Sequence, residues 1–71
     1  MSNKKLSTIT KNIRRYRKEK NFSQDRLPKE AEVAYNTIVK IESGENSNPT
    51  VDTLERVAET LGVSIEKLFK E

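Results

Sequence analysis

Apolar side chains recur along the chain at the three- and four-residue spacing of amphipathic helices. The stretches that follow this spacing are Ile9, Ile13 and Tyr16; Leu27 and Ala31; Ile38 and Ile41; and Leu54, Val57, Ala58 and Leu61. No stretch alternates polar and apolar residues for long enough to indicate a strand. The pattern therefore predicts an all-α fold.

Residues with special backbone preferences mark where these helices begin and end. Asn21, Gly44 and Gly62 each follow a helical stretch, where a left-handed residue ends a helix. Ser23 and Thr50 precede two other stretches, and their side-chain oxygens can cap a first turn. The boundaries predict five helices, at about residues 8–20, 24–31, 35–43, 51–61 and 65–70. We expect the five helices to form a single domain over residues 1–71, with residues 1–7 as a flexible arm.

The composition excludes several classes of protein. The 71 residues include no Cys and no His, which excludes disulfides, zinc fingers and the commonest general base. No glycine-rich phosphate loop or paired nucleophile and base is present, so we expect neither an enzyme nor a bound cofactor or metal. No apolar run approaches the ~18 residues of a membrane span, and no signal peptide is evident. We expect a soluble, intracellular protein without a membrane partner.

Charge is distributed unevenly along the chain. Residues 1–20 contain eight basic residues and one acid, whereas residues 21–71 contain six basic residues and ten acids. A basic stripe beside an acidic body suits a polyanion such as DNA. The stripe is equally compatible with a solvated helix face, and charge alone leaves both readings open.

Two of the predicted helices, 24–31 and 35–43, are separated by Glu32, Val33 and Ala34 alone. So short a turn makes two helices cross steeply, as in the helix-turn-helix whose second helix enters the major groove.

The chain resembles the XRE-like helix-turn-helix family of the lambda and 434 repressors and Cro. The motifs that carry the resemblance are Ser-Gln at the start of the second helix, Thr-Ile and Lys-Ile-Glu-x-Gly in the third, Asn-Pro before the fourth and Ala-x-x-Leu-Gly-Val-Ser at its end. With the preceding IRRYRKEKNF, the resemblance covers residues 8–70. It implies a lambda-repressor-like five-helix domain that binds duplex DNA as a transcriptional regulator. We expect a repressor in the cytoplasm of a bacterium, or one of phage origin.

The resemblance assigns base readout to Tyr35, Asn36, Thr37 and Lys40 in the third helix. Their chemistry agrees, because Asn can pair with adenine, Lys can donate to guanine and Thr can contact the thymine methyl. Two alternatives remain open. Tyr35 could cover the start of the helix without reading a base, and Lys40 could contact phosphate without reading a base.

Other residues are assigned to the DNA backbone and to the scaffold. The expected backbone contacts are Ser23, Gln24, Ser43, Asn46, Ser47, Asn48 and Arg14. Gln24 is also expected to brace the third helix, and Arg17 with Glu42 to form a structural salt bridge between the first and third helices. Because residues 45–48 include no cation, we expect a shallower salt dependence than a lysine-rich loop would give.

The C-terminal helix presents Ile65, Leu68 and Phe69, some of which should seal the core while the rest form a partner surface. Family members commonly pair through this end of the domain, so we expect a homodimer on a near-palindromic operator. A monomer whose last helix is wholly core is the alternative. Regulation by a partner protein is possible, as is an interaction module that retains the fold without specific DNA binding.

Two positions depart from the family pattern. Pro28 stands where a small residue is usual, and it cannot donate a hydrogen bond to the Gln24 carbonyl. We expect a distorted second helix there, or an introduced substitution. Glu32 stands where a turn glycine is common, so it must either adopt a left-handed conformation or change the turn.

Overall fold

Five helices make up the fold in a computed structural model that describes residues 4–45 and 49–70, with side chains from Thr8 onward. They are α1 (Lys4–Glu19), α2 (Arg26–Ala31), α3 (Tyr35–Ser43), α4 (Val51–Leu61) and α5 (Ile65–Phe69). The described residues contain no strand. The predicted all-α architecture is therefore confirmed, and α3 and α4 have the predicted bounds.

Local chemistry accounts for most of the helix ends. Gly44 and Gly62 end α3 and α4 in the left-handed region, at φ of 84° and 75°. At the start of α4, Thr50 Oγ1 accepts a hydrogen bond from the backbone N–H of Thr53 at 3.1 Å. The start of α1 differs from the prediction, because residues 4–7 are helical. Of the predicted arm, residues 1–3 lie outside the described residues.

The helix α2 begins at Arg26, two residues later than predicted. Pro28 explains this start, because without an N–H it cannot donate to the carbonyl of Gln24. Pro28 consequently lies in the first turn of α2, where a missing donor costs much less than the ~3 kcal/mol of a helix interior. The residue that precedes α2 is Asp25, whose side chain makes no capping hydrogen bond. Ser23, the cap predicted from the sequence, still accepts from the Arg26 N–H through its Oγ at 3.0 Å.

Glu32 takes the left-handed option, with φ 59° and ψ 45°. Its N–H donates to the carbonyl of Lys29 at 3.4 Å, and the N–H of Val33 donates to that of Pro28 at 3.0 Å. The turn between α2 and α3 therefore keeps its geometry with glutamate in place of glycine.

The core lies where α1 packs against α3, α4 and α5, where α2 packs against α3 and α4, and where α4 packs against α5. Its fully buried side chains are Ile13, Leu27, Ile38, Ile41, Val57 and Leu68. Asn12 is also buried, and its Nδ2 donates to the carbonyls of Leu68 at 2.9 Å and of Lys70 at 2.6 Å. Thr10 Oγ1 donates to the carbonyl of Ile41 at 2.9 Å. Polar side chains thus fix α1 against both α3 and α5.

The three residues predicted to form the dimer interface differ in their burial. Leu68 is 0% exposed and belongs to the core of its own chain, so it has no surface to offer a partner. Ile65 is half-buried against the core, and Phe69 is exposed at 39%. Within the described part of the chain, no helix is both long enough and apolar enough to cross a membrane.

Candidate nucleic-acid interface

The helix α3 has a buried face and an exposed face. It buries Ile38, Ile41 and Glu42, and it exposes Tyr35, Asn36, Lys40 and Ser43. Thr37 is half-buried at the boundary. Of the four residues predicted to read bases, Tyr35, Asn36 and Lys40 are therefore available on the surface, and Thr37 has the least area to offer a ligand.

A buried ion pair holds α3 in position. Arg17 Nε lies 2.7 Å from Glu42 Oε2, and Nη2 donates to Oε1 at 3.0 Å. The two side chains are 11% and 4% exposed. The third nitrogen, Nη1, donates to the carbonyl of Phe22 at 2.9 Å. The pair expected from the sequence is present, and it joins α1, α3 and the segment before α2.

Gln24 completes this network. Its Nε2 donates to Glu42 Oε1 at 3.1 Å, so the carboxylate receives three side-chain hydrogen bonds. Charge-assisted bonds of this kind satisfy a carboxylate that has lost its water. The expected bracing of α3 by Gln24 is thus visible, while its contact with the DNA backbone remains a prediction.

A cleft of about 410 Å³ lies between α1 and the side of α3 that carries Val39, Glu42 and Ser43. Its lining residues are Arg14, Arg17, Lys18, Gln24, Val39, Glu42 and Ser43. Since Arg17 and Glu42 neutralise each other, the remaining charges are those of Arg14 and Lys18, both exposed. The cleft is therefore positively charged, and Ser43 at the end of α3 lines it. This placement favours a polyanion site over a merely solvated helix face.

The residues predicted to contact phosphate are not all at this cleft. Arg14, Gln24 and Ser43 line it, whereas Ser23 is exposed at the start of the α2 segment. The Ser43 hydroxyl donates to the Lys40 carbonyl at 3.1 Å and accepts from the Glu45 N–H at 3.3 Å. Three further predicted contacts, Asn46, Ser47 and Asn48, lie outside the described residues.

The sequence pattern does not single out two residues of this cleft. Lys18 follows Arg14 by four positions, a spacing that places both on one helix face and could have identified it. Val39 follows Asn36 by three positions and precedes Ser43 by four, so it lies on the same side of α3 as these two exposed residues, although it is itself half-buried. Its side chain is apolar, so the sequence does not indicate it as a residue that contacts DNA.

Comparison with known proteins identifies the family. A family model described as Helix-turn-helix matches residues 13–68. The chain belongs to this helix-turn-helix family. It is 38% identical over 63 residues to the HTH-type transcriptional regulator SinR of Bacillus licheniformis, an alignment that covers 89% of this chain and 57% of SinR. The chain spans about half the length of the curated relatives it matches.

Solved structures agree with the fold. A crystal structure of SinR, described as the master regulator for biofilm formation, in complex with DNA superposes with a TM-score of 0.84 at 37% identity, covering 87% of this chain and 98% of that one. The SinR protein/SinI protein complex gives a TM-score of 0.85 at 38% identity, covering 89% and 61%. The predicted five-helix, helix-turn-helix class is thus confirmed.

Proposed function

We propose that this chain is the DNA-binding domain of a transcriptional regulator and reads duplex DNA with α3 in the major groove. The observation that carries the proposal is the polarity of α3. Its one acid, Glu42, is buried against Arg17, while Asn36 and Lys40 are exposed on the same helix, whose residues Val39 and Ser43 line the basic cleft. A helix that hides its negative charge and exposes amide and ammonium donors suits phosphates and base edges. The likeness to SinR in complex with DNA supports DNA as the ligand.

The exposure of each candidate residue decides the role assigned to it in DNA binding. Asn36 and Lys40 read base edges, with Tyr35 at the helix start and Thr37 contributing from the side. Arg14 and Ser43 bind phosphate at the mouth of the cleft. The further expected backbone contacts are Ser23, Gln24, Asn46, Ser47 and Asn48. Arg17 acts as scaffold, because its side chain is committed to Glu42 and Phe22.

The chain acts in this proposal as a cytoplasmic, non-enzymatic repressor that binds as a homodimer. Phe69 and Ile65 supply the apolar part of the dimer surface, and two copies place their α3 helices about 34 Å apart on a near-palindromic operator. A regulatory protein partner is supported by the similarity to SinR in its complex with SinI.

The test is selection of duplexes from a randomised pool at two salt concentrations, followed by sequencing of the bound fraction. Wild-type protein should recover a near-palindromic site, and Asn36→Ala and Lys40→Ala should relax the preference at separate positions by about 1–3 kcal/mol each. Lys29→Ala is the control, because Lys29 is an exposed lysine of α2 that does not line the cleft. Featureless binding that vanishes at moderate salt would contradict specific readout and support a protein-interaction module.

A further inference from the structure

We infer that Val39 is a specificity-determining residue that recognises the 5-methyl group of a thymine at the edge of the major groove. The inference rests on the proposed function, and it adds a fifth reading residue on the side of α3 that faces α1. It also predicts which chemical group of the DNA that residue recognises.

The packing of Val39 is unusual for a valine. Five half-buried hydrophobic side chains among the described residues pack against the core cluster, and Val39 is not one of them. Its partial burial comes instead from the cleft, which it lines together with Arg14, Arg17 and Lys18. An apolar side chain thus lies among cations, on a surface that the core does not require.

Helix propensity does not explain why valine occupies position 39 either. Val39 follows Thr37 and Ile38, and a run of β-branched residues is unfavourable in a helix because their χ1 rotamers are restricted. For Ile38, packing in the core offsets this unfavourable helix propensity, because its side chain is 0% exposed. Val39 contributes no core packing that could offset it. An alanine or a polar residue would serve the helix better at this position.

The position of Val39 matches one chemical group of the groove. The thymine methyl is the one apolar group among the base edges of the major groove. It projects toward the backbone of its own strand, so a side chain that contacts it must lie beside the phosphate-binding residues. Val39 does so, because it is flanked by Arg14 and Lys18 of α1 and by Ser43 at the end of α3.

The experiment uses the selected operator and replaces each thymine singly with deoxyuridine, which removes the methyl group and leaves the pairing intact. For the wild-type protein, one thymine in each half-site should lose about fourfold in affinity on replacement, the value of burying one methyl. Because both protomers of the proposed dimer carry the change and each loses one methyl contact, Val39→Ala should bind the unmodified operator about 16-fold more weakly. Deoxyuridine at either of those thymines should then cost nothing further. Lys40→Ala is the matched control, and it should keep the full deoxyuridine effect.

The outcomes separate this inference from the proposed function. If no operator is selected, the proposed function fails and the inference fails with it. If an operator is selected but deoxyuridine costs the same for Val39→Ala as for the wild type at every thymine, the inference alone is overturned. A melting temperature of Val39→Ala at or above that of the wild type would exclude misfolding as the cause of weaker binding.

Discussion

Arg17 and Glu42 form a bidentate pair, with Nε 2.7 Å from Oε2 and Nη2 3.0 Å from Oε1. They are 25 residues apart in the chain and connect α1 to α3. Burying two charges costs desolvation, which offsets much of their attraction, so the pair adds little net stability. Its contribution is geometric, because a bidentate contact fixes the rotation of α3 about its axis and hence the direction of Asn36 and Lys40.

The ion pair leads to the first prediction, which concerns Arg17→Met. This change leaves the Glu42 carboxylate buried without its counter-charge, which should cost about 3–5 kcal/mol. A domain of this size has only a few kcal/mol of stability, so the variant should be largely unfolded at 25 °C by far-UV circular dichroism. The double variant Arg17→Met/Glu42→Leu removes both charges and should regain a folded spectrum. An Arg17→Met variant as stable as the wild type would mean that water reaches the carboxylate.

The left-handed Glu32 supports a second prediction. Glu32→Gly should raise the free energy of unfolding by about 1 kcal/mol, because φ of 59° costs a non-glycine residue that much. Its ion pair with Arg56, at 3.7 Å and well exposed, should contribute little to the balance. The expected rise in melting temperature is about 4–8 °C. Glu32→Ala is the control, since it removes the charge and keeps the strain. An equal gain in Glu32→Ala would show that charge, and not backbone conformation, limits stability.

Sequence patterns predict those parts of the fold that depend on neighbouring residues. Gly44 and Gly62 end helices because they tolerate positive φ, and the bounds of α3 and α4 follow directly. Pro28 was recognised as a departure, but its effect was a later start of α2 and not a distorted interior. Which residue of α5 is core cannot be read from spacing, because Leu68 and Phe69 are adjacent and only packing against α1 and α4 separates them.

The candidate site, like the fold, can be predicted only in part from sequence patterns. The exposed side of α3 follows from helical periodicity, so Asn36 and Lys40 could be predicted from the sequence. The cleft could not, because it forms between α1 and α3, whose lining residues Arg14 and Val39 are far apart in the chain. Their juxtaposition depends on how two helices pack, which no local pattern encodes.

The buried Asn12 gives a third prediction. The two hydrogens of its Nδ2 are shared among three carbonyls near the end of α5, those of Lys67, Leu68 and Lys70, at 3.2, 2.9 and 2.6 Å. Asn12→Ala should lower the free energy of unfolding by about 1–3 kcal/mol, because those carbonyls lose their donor in a buried site. Urea denaturation measures the change, and amide exchange should show α5 opening first. Asn12→Asp replaces the donor with an acceptor that repels the carbonyls and should be less stable still. Wild-type stability in Asn12→Asp would show that α5 is held by its apolar contacts alone.

The basic cleft gives the fourth prediction, which rests on the proposed function. Each phosphate that a cation neutralises steepens the dependence of log K on log salt by about 0.9. Because the proposed dimer loses the cation from both protomers, Arg14→Ala and Lys18→Ala should each reduce the slope by about 1.8. The preferred operator should stay the same, since phosphate contacts carry no sequence information. Operator titrations at four or more salt concentrations measure the slope.

Arg15→Ala is the matched control for this fourth prediction. Arg15 belongs to the same helix but does not line the cleft, and its guanidinium lies 3.9 Å from Glu19 and 4.7 Å from the ring centre of Tyr16. Its removal changes the net charge by the same amount as Arg14→Ala, so the slope should stay near the wild-type value only if phosphate is bound at the cleft itself. An equal reduction in Arg14→Ala and Arg15→Ala would show that the cations of α1 act as diffuse charge. Base readout by α3 would then have to position the protein on DNA without a phosphate contact from α1.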